Sequence, residues 1–98
     1  PFEAARRELS EECGVTADRF LNLGVLYPTV GSDSEKIYIW AATGLHAAAQ
    51  HLDEGEFLDV TLMPFEEVLD LVMTDKIRDS KTVAAVLKYA LLRQKGEA

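Results

Sequence analysis

Ala4-Ala5-Arg6-Arg7-Glu8-Leu9-Ser10-Glu11-Glu12-Cys13-Gly14-Val15 is the stretch on which the reading of this chain turns. Its spacing predicts a helix from about Glu3 to Cys13, ended by Gly14 in the left-handed conformation that glycine adopts at helix C-termini. Val15 would then turn back onto the core. At 100° per residue, Glu8, Glu11 and Glu12 share a stripe roughly 100° wide. Phe2, Ala5, Leu9 and Cys13 fill the adjacent stripe, the natural core face. Like charges three and four residues apart destabilise a helix by roughly 0.2–0.5 kcal/mol per pair. A divalent cation turns that repulsion into coordination, and a hard ion such as Mg²⁺ takes oxygen ligands that it shares with substrate phosphates. The plainer alternative is an amphipathic helix with a solvated acidic face. Arg7 stands four residues from both Glu3 and Glu11, a spacing that lets it steady two carboxylates.

The same residues carry a family signature. The Nudix box reads G-x5-E-x7-R-E-U-x-E-E-x-G-U, with U a bulky aliphatic residue. Arg7-Glu8-Leu9-Ser10-Glu11-Glu12-Cys13-Gly14-Val15 agrees with its second half at every specified position. The chain thus resembles a Nudix hydrolase. The seven-residue spacer needs one residue more than precedes Arg7, so the first Glu and the Gly of the box would lie before Pro1. The expectation is a single C-terminal portion, residues 1–98, of a Nudix hydrolase domain. The implied fold class is α+β of the α/β/α sandwich type: a partial Nudix fold, a mixed sheet flanked by helices, without its N-terminal strands. Unpaired sheet edges and a partly uncovered core would favour association.

Composition sets outer limits. Ninety-eight residues, 48% hydrophobic and 28% charged, suit one small globular domain with a single core. A net charge of −7 argues against a nucleic-acid surface or an anionic membrane, both of which need clustered Lys and Arg. It leaves room for a phosphorylated small molecule, because a bound metal reverses the local sign of a site. The lone Cys13 forms no internal disulfide, and a reducing, cytoplasmic setting is expected. No apolar run reaches the length of a membrane span.

Beyond the box, Thr16-Ala17-Asp18-Arg19 reads as a polar connection and Phe20 to Tyr27 as a strand ended by Pro28. Residues 29–36 read as a loop. Ile37 to Leu45 is apolar on both faces, which predicts an interior strand covered on both sides. An acidic loop, Leu52-Asp53-Glu54-Gly55-Glu56, leads to a third strand from Phe57 to Met63. Pro64 opens a helix to about Thr74 with Val68, Leu69 and Val72 inward. Asp79 or Ser80 caps a last helix to about Gln94, with Val83, Val86, Leu87, Ala90 and Leu91 inward. His46 and His51 have no metal-ligand spacing with Cys13 and read as surface residues.

These downstream segments sharpen the resemblance. Leu26-Tyr27-Pro28, Ser34-Glu35, Glu54-Gly55-Glu56 before Phe57-Leu58-Asp59-Val60, and Lys76-Ile77-Arg78-Asp79 are similar to ADP-ribose pyrophosphatases. The resemblance implies that Glu8, Glu12 and Glu56 hold Mg²⁺, with Mn²⁺ a possible substitute. It implies Glu11 as a further ligand, direct or through water, Glu54 as general base, and Glu35 as a contact to substrate or a partner subunit. A carboxylate base beside metal ions needs only hydrogen-bond reach of the attacking water. The reaction implied is hydrolysis of ADP-ribose to AMP and ribose 5-phosphate by a homodimer. Solvated loop charges are the bland reading of Glu54 and Glu56, and a surface pair with Lys36 that of Glu35. A catalytically incomplete fragment and a hydrolase of another nucleotide remain as alternatives.

Overall fold

The computed structural model describes residues 2–28, 35–48 and 60–98. Along the chain these form α1 (Phe2–Glu8), a π-helical turn (Leu9–Cys13), β1 (Val15–Leu26), β2 (Ile37–Ala47), α2 (Phe65–Met73) and α3 (Ser80–Gln94). The strands pair as a two-stranded sheet. Their register is antiparallel: the Ala48 amide donates to the Gly14 carbonyl at 2.7 Å, and Asp18 lies across from His46.

Two compact units emerge, Pro1–Phe20 with Ala42–Leu62, and Leu21–Ala41 with Met63–Ala98. In the first, Phe2 meets Phe20 edge-to-face at 5.3 Å. Gly44 has φ of +69°, a conformation open to glycine, and the Asp18 side chain lies within 3 Å of where a Cβ would stand. A side chain there would collide with Asp18, which pairs with His46 at 2.9 Å.

The second unit follows local rules closely. Pro64 precedes α2, where its fixed φ costs nothing and its missing N–H is not needed. Asp79 caps α3: Oδ2 accepts from the Thr82 amide at 3.0 Å and from the Thr82 hydroxyl at 2.7 Å, while Lys81 Nζ donates to Oδ1 at 3.0 Å. The Thr82 hydroxyl, then Lys81 and the Thr82 amide, hold the Asp79 carboxyl at about 2, below the ordinary 3.8. Phe65 and Tyr89 join α2 to α3 edge-to-face at 5.2 Å, with the Arg93 guanidinium 4.9 Å from the Phe65 ring centre.

Several expectations shift. β1 begins at Val15 and so takes in Thr16 to Arg19, because an antiparallel strand with one solvated face accepts polar residues. Tyr38 is 49% exposed, so β2 is not covered on both faces. Residues 57–59 of the expected third strand fall outside the described residues, and 60–63 have no regular structure. Leu91 is 58% exposed; Val83, Val86, Leu87 and Ala90 are half-buried as read. Among the described residues, the buried apolar side chains are Leu23 and Val72, both in the second unit. No helix among those residues is long and apolar enough to cross a membrane.

Candidate active site

The box helix does not keep one geometry. From Leu9 it widens from α to π, then closes on Gly14 at φ 72° and ψ 31°, whose amide donates to the Ser10 carbonyl at 3.1 Å. A π turn carries more residues than an α turn, so the 100° phase fails across it. Cys13, read as inward, is exposed for that reason; Phe2, on the same stripe at the start of α1, is exposed as well, while Ala5 and Leu9 are half-buried. Single π turns recur at functional sites.

Glu8 is exposed, and Glu11 and Glu12 are half-buried. Arg7 Nε stands 3.9 Å from Glu11 Oε2, the expected pair, whereas Glu3 is met by Arg6 at 3.4 Å. Glu35 lies exposed just before β2. Glu54 and Glu56 lie outside the described residues, as does His51. His46 is exposed, as read, and no local spacing signals its pairing with Asp18.

Among the described residues no three His, Cys, Asp or Glu side chains come together closely enough to hold a metal ion. The donor chemistry of Glu8, Glu11 and Glu12 suits a hard cation, but these carboxylates alone do not enclose one.

An open cleft of about 450 Å³ runs along the other flank of the helix, bounded by Glu3, Arg6, Arg7, Ser10 and Glu11, with Phe20 from β1. Its volume falls in the range of small-molecule sites. Glu11 borders it; Glu8 and Glu12 do not.

Residues 1–86 match the NUDIX domain family model, and the chain belongs to the Nudix family. It is 35% identical over 101 residues to the ADP-ribose pyrophosphatase of Bacillus subtilis, covering 97% of this chain and 55% of that protein. It is 34% identical over 94 residues to a GDP-mannose pyrophosphatase of Yersinia enterocolitica, covering 92% and 48% respectively. The crystal structure of an ADP compounds hydrolase superposes with a TM-score of 0.80 at 28% identity, over 99% of this chain and 53% of that one. The fold is therefore the Nudix α/β fold, and the chain spans about half the length of these relatives.

Proposed function

We propose that the protein hydrolyses the pyrophosphate bond of a nucleoside diphosphate sugar, with ADP-ribose as substrate and AMP and ribose 5-phosphate as products. The observation that carries this reading is the alignment with an ADP-ribose pyrophosphatase along 97% of the chain, the box segment included. Similar identity to a GDP-mannose pyrophosphatase favours GDP-mannose as the second substrate to try.

Glu8, Glu12 and Glu56 are the residues that would hold Mg²⁺, with Glu11 as a further oxygen donor. Bound there, the cation would neutralise pyrophosphate charge and lower the pKa of the attacking water. Glu54 takes the proton of that water as general base. Arg7 restrains Glu11 through their ion pair, a positioning role. Glu35 contacts the substrate or a second subunit. The protein would act as a homodimer in the cytoplasm, and residues 1–98 would form the C-terminal portion of the catalytic domain.

The test offers ADP-ribose and GDP-mannose separately, with Mg²⁺, with Mn²⁺ and with EDTA, and resolves the products by chromatography. AMP from ADP-ribose, lost with EDTA, is the expected result. Equal turnover in EDTA, or phosphate as the first product, would sink the reading.

A further inference from the structure

The cleft beside Arg6 lies on the flank of the box helix that Glu8 and Glu12 do not border, and the box signature does not include Arg6. Arg6 is held loosely. Its partner Glu3 is 3.4 Å away, with side chains 57% and 80% exposed, and exposed pairs of that kind contribute little. Its guanidinium carbon is 5.9 Å from the Phe2 ring centre, at the far limit of a cation–π contact. Arg7 Nε, at 3.9 Å from Glu11, is held more loosely still. Two guanidinium groups therefore border one cleft with donors to spare, and Arg presents a planar fork suited to phosphate oxygens.

The remaining groups narrow the ligand. Two carboxylates, Glu3 and Glu11, oppose a bare anion but accept hydrogen bonds from sugar hydroxyls. Ser10 adds a hydroxyl that donates or accepts, and Phe20 an apolar surface. A ligand with both phosphates and free sugar hydroxyls satisfies this mixture better than phosphate alone.

We propose that the Arg6 cleft is a binding subsite for a nucleoside diphosphate sugar, with Arg6 gripping a phosphate and Glu3 accepting from a sugar hydroxyl, independently of metal. Glu11, at the border of the cleft, links it to the box carboxylates. The inference rests on the hydrolase reading for the identity of the ligand, and Arg6 is a specificity residue in it.

Titration calorimetry in EDTA at low salt tests it, using ADP-ribose and inorganic phosphate as probes. The parent is expected to bind ADP-ribose, and Arg6→Ala to bind it about tenfold more weakly or worse. Inorganic phosphate should bind far more weakly than ADP-ribose. Arg6 is exposed on a helix and Ala is a strong helix former, so far-UV circular dichroism should show Arg6→Ala folded like the parent. Unchanged affinity in Arg6→Ala, no binding of ADP-ribose by the parent, or phosphate binding as tightly as ADP-ribose would each overturn the proposal. Turnover with Mg²⁺ separates the two readings. A working enzyme whose KM is unmoved in Arg6→Ala removes the subsite and keeps the hydrolase. Arg6-dependent binding without turnover removes the hydrolase and keeps the subsite.

Discussion

The unit that holds the box and the unit that holds the α2–α3 pair reverse the usual relation between regularity and information. Around the helical pair, caps and packing agree: Pro64 and Asp79 begin the helices, Phe65, Tyr89 and Arg93 bind them together, and Leu23 and Val72 are buried. None of that says what the protein does. Around the box no described side chain is buried and the helix changes pitch at Leu9, yet this is where the family signature lies. Local rules stabilise one unit; the other spends its helix surface on like charges that weaken it.

That contrast can be broken or sharpened by substitution. The largest effect should come from Glu8→Gln. Turnover of ADP-ribose is expected to fall by more than about a hundredfold, while the thermal midpoint holds or rises slightly as like-charge repulsion is relieved. Leu23→Ala should do the reverse, costing about 3 kcal/mol of stability in a urea titration, with activity per folded molecule largely kept. If Leu23→Ala leaves stability untouched, the second unit is not the stable one.

Gly44→Ala should cost about 1–2 kcal/mol, since it places a Cβ against Asp18 at a φ that Ala adopts poorly. Loss of the Asp18–His46 contact would be visible as a shift of the His46 ring signals in NMR. Asp79 gives a smaller, pH-dependent effect. Its carboxyl sits at about 2 folded against 3.8 as the ordinary value, so its stabilisation is complete above 3.8 and drains away as the pH falls toward 2. Asp79→Ala should therefore lower the melting midpoint at neutral pH and flatten the acid limb between those values. Asp75→Gly is the gentlest test. Asp75 has φ of +61°, and glycine there should be neutral or stabilise by about 0.5–1 kcal/mol.

How much was legible in the sequence follows the same division. Helix boundaries in the second unit could be read almost to the residue, because proline and aspartate act locally and need no partner from elsewhere. Gly14 likewise fell where a left-handed cap was expected. The exposure of Cys13 was hidden, since nothing in the composition of Leu9 to Cys13 announces a π turn. Asp18 looked like connection because its partner, His46, lies across the sheet and 28 residues away along the chain. The family was legible because the box positions are fixed by chemistry rather than packing. The proposed roles of Glu54 and Glu56 fall on residues outside those described.

The most direct measurement is product analysis of ADP-ribose incubated with the protein and excess Mg²⁺, with Glu12→Gln alongside. The account predicts AMP and ribose 5-phosphate from the parent and essentially none from the variant, with both equally folded by circular dichroism. AMP produced at the same rate by Glu12→Gln would contradict it.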